Sequence, residues 1–389
     1  MSDGNKKRVA ILGGGFAGLA AARALQNSEK KHTVTLINRH PDIHCRFLLP
    51  DLAAGAVDAK HLLHPIERLG NRFGFDFIHA EVTKVLFEKK QLRLADGREI
   101  AYDYLIFAPG SETNFHGNNN IMAHAYRLDN AVDAIAAMKA LASGRYGTVV
   151  VCGGGYTGIE VATHVRRVMN ERERPVDTII VEARDTILAS LPNWMKIYTL
   201  DNLSRMGIRV KTGATVESVD EARIVLNDTT VYDDACLIWT AGMKAPSLLD
   251  TQDAPRGPQG RTLVERDLRF GPDRFAVGDT ACIRRGSSCS RMAVQAAADQ
   301  GKHAAHNVLR LIDGEPTTSF KLSDWGLIVP MANWRSCGSA FGFPVRGAFA
   351  TSLHYLLSAY RFYGINNAAG ILDYARSSYR RQIRSKRKL

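Results

Sequence analysis

Residues 8–18 read Arg8-Val-Ala-Ile-Leu-Gly-Gly-Gly-Phe-Ala-Gly18, and their reading decides the fold. The first five residues form a short buried strand. Gly13, Gly14 and Gly15 make a turn, Leu19 to Leu25 is an Ala-rich stretch of high helix propensity, and Thr33 to Ile37 is a second strand. Strand, glycine turn, helix and strand within about 30 residues is the context that gives a Gly-x-Gly-x-x-Gly spacing its meaning. The first glycine permits the tight turn, the second lets backbone approach a pyrophosphate, and the third lets helix pack on strand. Free backbone N–H groups at the helix start then hold phosphate oxygens.

The pattern recurs. Thr148 to Val151 is a strand, Gly153-Gly-Gly-Tyr-Thr-Gly158 the turn, Ile159 to Met169 a helix, and Asp177 to Val181 the next strand. One such turn is weak evidence and two are not coincidence. The segments 103–114 and 236–243 each run from strand into a Gly turn and mark crossovers, so the second unit reads as an insertion. The sequence predicts an α/β protein with two Rossmann-like dinucleotide-binding domains and a C-terminal α/β segment ending in amphipathic helices. Two nucleotide units imply two nucleotides, which points to a flavoprotein with FAD in the first unit and a nicotinamide in the second. Residues 1–114 and 251–313 are then the FAD-binding domain, 115–250 the NADH-binding domain, and 314–389 the C-terminal region.

The residue ending the second strand of each unit reads the ribose. Glu182 accepts bonds from a 2′-hydroxyl and repels a 2′-phosphate, which favours NADH over NADPH. The first unit has Asn38, whose amide bonds a hydroxyl more weakly.

Composition bounds the rest. The chain has 389 residues, 45% of them apolar, and a net charge of +12. That excludes disordered, collagen-like and coiled-coil proteins. Seven basic residues (Arg376, Arg380, Arg381, Arg384, Lys386, Arg387 and Lys388) and no acid occupy 374–389, leaving only +5 for the remainder. The excess is a tail feature suited to an anionic membrane surface, and no nucleic-acid-binding motif accompanies it. Phe349, Leu353, Leu356, Leu357, Tyr360 and Tyr363 precede it at helical spacing. The N-terminus has no apolar signal core and no stretch of about 18 apolar residues occurs. A cytoplasmic protein, peripheral on the cytoplasmic face of the membrane, is expected. The six cysteines, Cys45, Cys152, Cys236, Cys282, Cys289 and Cys337, include no Cys-x-x-Cys pair. They read as buried or free thiols, with no metal site.

Taken together, these segments resemble a two-dinucleotide flavoprotein, most closely a type II NADH dehydrogenase, the single-subunit NADH:quinone oxidoreductase. The matching stretches are 9–18, His44 to Pro50 with Ala54-Gly55, Tyr102 to Ser111 with Thr113 to Phe115, Gly153 to Glu160, Trp239 to Gly242, Phe275 to Asp279, and Gln295 to Gly301. By that resemblance FAD is held by Gly13, Gly15, Phe16, Ala17, Gly18, Asn38, Arg39, Val82, Ala108, Gly110, Gly278, Asp279, Gln295 and Ala296. NADH is held by Gly153, Gly155, Tyr156, Thr157, Gly158, Glu182, Ala241 and Gly242. Glu160, Gln295 and Asp299 are the catalytic candidates, with Glu160 expected beside the nicotinamide.

The resemblance makes the acceptor a quinone or another small electron acceptor, with a homodimer as one further arrangement. Family members carry Gln where this chain has Asp299, a carboxylate suited either to relaying protons or to a different acceptor. A soluble FAD oxidoreductase acting on a small aromatic or quinoid metabolite is the alternative, and a nucleotide-dependent sensor a third. Disulfide reductases need a cysteine pair near residues 40–50, where only Cys45 stands.

Overall fold

The computed structural model describes residues 6–26, 32–249, 254–286, 288–321 and 325–363. The chain forms two compact units. The first comprises residues 1–44, 64–112 and 243–324; the second comprises 45–63, 113–242 and 325–389.

The first unit is built on a six-stranded sheet in the order Arg269–Gly271, Arg274–Ala276, Tyr104–Phe107, Lys7–Leu12, His32–Asn38, Asp76–His79. All neighbours are parallel except the first pair. Val9, Ile11, Leu36, Ile37, Leu105 and Ile106 are buried, the near-continuous apolar run of strands covered on both faces. The helix Phe16–Gln26 follows the glycine turn and packs on Val294–Ile312. A Cβ at Gly301 would collide with the Ala17 carbonyl oxygen, so glycine sets how closely these helices approach.

The second unit repeats the plan with four parallel strands in the order Ile208–Thr212, Asp177–Glu182, Thr148–Cys152, Ala235–Trp239. The helix Tyr156–Glu171 follows its glycine turn. Both glycine-turn helices start three residues before the sequence-based position, because Phe16 and Tyr156 already have helical backbone.

Residues 243–250 fall in the first unit rather than the second, and the division differs from the expected boundaries more widely in two further places, each with a packing reason. Residues 45–63 group with the second unit because Leu48, Leu49, Leu52 and Ala53 bury against Ala131, Ala134 and Ala137 of the helix Ala131–Ser143. The region 314–389 is split. Thr318 is bonded to Asn307 and Phe320 to the Arg266 carbonyl in the first unit. Val329, Met331 and Cys337 join the core of Val149, Val151 and Ile159 in the second. The antiparallel strands Gly326–Val329, Cys337–Ala340 and Phe343–Arg346 lead into the helix Gly347–Tyr363. The basic tail and the final expected helix lie outside the described residues.

The cysteine reading needs a correction. Cys45, Cys152, Cys236 and Cys337 are buried free thiols, but Cys282 and Cys289 form a disulfide. A seven-residue separation is not a spacing that marks a redox or zinc site in sequence. The pairing arises because Arg284–Arg285 and Ser288–Cys289 fold back as a hairpin.

Overpacking gives the first prediction. Gly301→Ala is expected to lower unfolding free energy by about 1–3 kcal/mol in denaturant titration. Gly147→Ala, exposed and with open space at its Cβ position, should stay within about 0.5 kcal/mol of the parent. Equal stability of the two variants would remove the close helix contact from the account.

Candidate functional site

In the first unit the strand Lys7–Leu12 delivers the chain into Gly13, whose φ is +108° and whose missing Cβ makes room for the Ala108 carbonyl. A Cβ on Gly18 would strike the Gly13 carbonyl oxygen. Gly15 is exposed and has no atom within 4 Å of its Cβ position. Two glycines are thus required by packing and the middle one leaves open space at a helix start, which is where a pyrophosphate binds.

Asn38 does more than was read from sequence. Its Oδ1 accepts the Gly14 N–H at 2.9 Å and its Nδ2 donates to the His40 carbonyl at 2.8 Å, so it fixes the shape of the turn. Arg39 is exposed just beyond it, and Val82 is buried in the core with Leu94 and Tyr102. Gly110 (φ +79°) has open space at its Cβ position.

Asp279 follows Gly278, whose φ is +77° and whose Cβ position faces Ala17 at 3.2 Å. Its carboxylate accepts the Ser111 hydroxyl at 2.8 Å, and the Gly278 N–H donates to Gln300 Oε1 at 2.7 Å. The structure therefore brings together Gly13, Ala17, Ala108, Gly278 and Asp279 from three separate stretches. Ser111 and Gln300 were not singled out from sequence, since a Ser or Gln far away in the chain carries no spacing signal. Ala296 is buried at the start of the helix Val294–Ile312, where Gln295 Nε2 donates to Asp299 Oδ2 at 2.8 Å. The two catalytic candidates on this helix are thus one hydrogen-bonded pair. The residues present at this end of the sheet fit a bound FAD.

The second unit reproduces the design. Gly153 has φ +113° and its Cβ position lies 3.0 Å from the Ala241 nitrogen. Gly158 packs under the Gly153 carbonyl, and Gly155 is exposed with open space. Tyr156 is exposed and Thr157 half-buried at the helix start. Glu182 takes the place of Asn38, with Oε2 accepting the Gly154 N–H at 2.6 Å and Oε1 the Arg184 N–H at 2.9 Å. Gly242 (φ +93°) leaves room for His116, whose Nε2 lies 3.3 Å from the Ala241 carbonyl. This end of the sheet likewise fits a dinucleotide.

Glu160 is buried in a polar cluster with Asp51, His164 and Tyr355. Glu160 and His164 share a helix face at i, i+4 spacing, while Asp51 comes from the helix Leu49–Ala53 and Tyr355 from Gly347–Tyr363. Tyr355 donates its hydroxyl proton to Asp51 Oδ1 at 3.0 Å. His164 Nδ1 faces the Arg167 guanidinium at 3.5 Å, and a guanidinium only donates. The imidazole proton is therefore assigned to Nε2, 3.2 Å from the Tyr355 oxygen. Glu160 Oε1 is buried without a hydrogen-bond partner, 3.9 Å from His354 Nε2.

Burial dominates the titration here. It pushes Asp51 up to about 7 against the opposing pull of Tyr355 and Arg167. It raises Glu160 well above the carboxylate range, with Asp51 adding to the shift, and lowers His164. Asp51, His164 and Tyr355 were not read from the sequence, because no local pattern links residues 51, 164 and 355.

A carboxyl raised by folding binds its proton more tightly in the folded chain. Stability is then complete below the unfolded value near 3.8 and falls as pH rises towards about 7. Asp51→Asn removes this term while keeping an acceptor for Tyr355. Its Tm relative to the parent should rise steadily between pH 4 and 8 in thermal denaturation. A Tm difference independent of pH would show that Asp51 ionises freely.

Comparison with known proteins follows the same lines. Residues 7–301 match the family model described as pyridine nucleotide-disulphide oxidoreductase. A type II NADH:quinone oxidoreductase of Staphylococcus saprophyticus is 25% identical over 371 residues, covering 88% of this chain and 92% of the relative. That of Staphylococcus aureus is 25% identical over 372 residues, with 88% and 92% covered. The structure of NDH2 from Plasmodium falciparum with NADH superposes with a TM-score of 0.82 at 18% identity over 98% of both chains. The sulfide:quinone oxidoreductase of Aquifex aeolicus gives 0.78 at 17% identity, covering 91% of this chain and 90% of that one. With two matching glycine turns on two parallel sheets and a family match over most of its length, the chain belongs to the pyridine nucleotide-disulphide oxidoreductase family.

Proposed function

We propose that this NADH-dependent flavoprotein oxidoreductase passes its electrons to a quinone at a membrane surface. The observation that carries the reading is the duplicated glycine turn, anchored by an amide in the first unit and a carboxylate in the second. The similarity to type II NADH:quinone oxidoreductases supports it.

Bound FAD supplies the electron-transfer chemistry that side chains lack. In the first unit Gly13, Gly15 and Gly18 with the start of Phe16–Gln26 would hold its pyrophosphate, and Asp279, steadied by Ser111, would bind its sugar chain. The N-terminus of Val294–Ile312, with its partial positive charge, stabilises negative charge brought next to it. In the second unit Gly153, Gly155 and Gly158 hold the NADH pyrophosphate. Glu182 binds the ribose while still fixing Gly154, since each carboxylate oxygen has a second lone pair. Glu160 is kept protonated by its buried surroundings. Asp299, oriented by Gln295, delivers a proton to the reduced acceptor.

The membrane reading rests on apolar side chains left on the surface of the second unit. Phe343 is 73% and Phe349 66% exposed, with Trp325, Phe341 and Leu356 also exposed. Singly such residues mean little, but five within 32 residues, with Trp325 and Phe341 in ring contact, suit a lipid interface or a partner. Among the described residues no helix is long and apolar enough to cross a membrane. Asp299 also favours a second reading, a small soluble quinoid acceptor.

Steady-state NADH oxidation with a short-chain quinone tests the acceptor. The rate should rise on quinone addition and fall by about 100-fold or more in Asp299→Asn, the range of a lost proton donor. No stimulation by quinone would contradict the proposal. If stimulation persists while the protein stays in solution when mixed with anionic vesicles, the soluble reading holds instead. Glu182→Gln keeps the acceptor for Gly154 and removes the charge. It should shift the NADH-to-NADPH ratio of kcat/KM towards NADPH by roughly tenfold, and an unchanged ratio would remove Glu182 from nucleotide selection.

A further inference from the structure

The Cys282–Cys289 disulfide plays no part in the activity described above, and it borders a cavity of about 420 Å³ in the first unit. That volume is within the range that takes small molecules, about 300–1,000 Å³. Both cysteines line it, together with Arg256, Gly257, Arg284 and Gly286. No acidic side chain is among the described lining residues. We propose that this cavity is a thiol–disulfide exchange site for a small anionic thiol.

The sulfurs are placed asymmetrically. Cys282 is buried and Cys289 half-buried, so an incoming thiolate meets Cys289 first. Gly257 keeps the wall clear of Cys282, because a Cβ there would lie 3.0 Å from its Sγ. Arg256 and Arg284 line the same space, and their positive charge attracts an anion and favours the thiolate forms of attacking and leaving sulfur alike.

The scaffold also holds the cysteines together independently of their bond. Arg261 is buried, with Nη1 donating to the Ser290 carbonyl at 2.8 Å and Nη2 to the Ala281 carbonyl. The Ser290 N–H donates to the Ile283 carbonyl at 2.9 Å. Residues 281 and 290, which bracket the two cysteines, therefore stay clamped when the sulfur–sulfur bond is cut. The dithiol remains poised to close again, which makes the bond reversible rather than a one-way staple.

The exchange balances with two molecules of thiol. The first thiolate attacks Cys289 Sγ, forming a mixed disulfide and releasing Cys282 as thiolate. A second thiolate attacks the small-molecule sulfur of that mixed disulfide, releasing Cys289. The products are the protein dithiol, after two protons are taken up, and the disulfide of the small thiol; two electrons pass from the thiols to the protein.

The test compares glutathione, a net anion at neutral pH, with its monoethyl ester, which carries the same thiol and in which the remaining carboxylate and the ammonium cancel. Protein purified in air and unfolded without reductant should titrate four thiols, and six after reduction, given six cysteines and one disulfide. Native protein should be reduced by glutathione about tenfold faster than by the ester, the scale of charge steering into a basic site. Arg256→Gln/Arg284→Gln should bring the two rates together. Six thiols in the air-purified protein, or equal rates for the two reagents with the parent protein, would overturn the proposal.

Discussion

A carbonyl oxygen with no room above it governs this molecule twice. At Gly13 and again at Gly153 the chain leaves a parallel strand and turns into a helix, and a helical glycine, Gly18 or Gly158, lies directly against that oxygen. Any side chain there would push the helix off the strand. Close packing in turn fixes where the helix begins, and so where its unpaired N–H groups and positive dipole end are presented. The remaining site residues are arranged around these two points. Asn38 and Glu182 bond the middle of each turn from the neighbouring strand, and Asp279 stands on a segment that packs alongside the first.

What sequence reveals follows from whether a constraint is local. The two turns and their strands were legible because spacing and propensity within about 30 residues specify them. The disulfide was not, because a hairpin rather than a motif brings Cys282 to Cys289. Ser111, Gln300, Asp51, His164 and Tyr355 escaped for the same reason, each meeting its partner across more than twenty residues of chain. Asn38 and Glu182 were recognised for their position, but their service to the turn itself appears only in the hydrogen bonds. The segment 45–63 was assigned by its neighbours in sequence, whereas its buried leucines decide its place.

The buried cluster of the second unit shows how an ionisable set can be held out of water without full pairing. Removing a carboxylate from solvent costs more than one tyrosine hydroxyl and a nearby guanidinium return, so Asp51 keeps its proton to near neutrality. Burial likewise raises Glu160 well above the carboxylate range, with Asp51 close by adding to the shift. Two carboxyls raised by burial thus lie beside an imidazole that burial lowers. Groups tuned in this way are commoner at working sites than in structural cores.

The central claim is that two nucleotides, FAD and NADH, bind to the two turns and exchange electrons. Anaerobic titration of the purified protein with NADH, followed by flavin absorbance, tests it most directly. One equivalent of NADH should bleach one equivalent of bound flavin and leave the Cys282–Cys289 disulfide intact, since its exchange requires a thiol. A protein that carries no flavin, or whose flavin is untouched by NADH, would contradict the account.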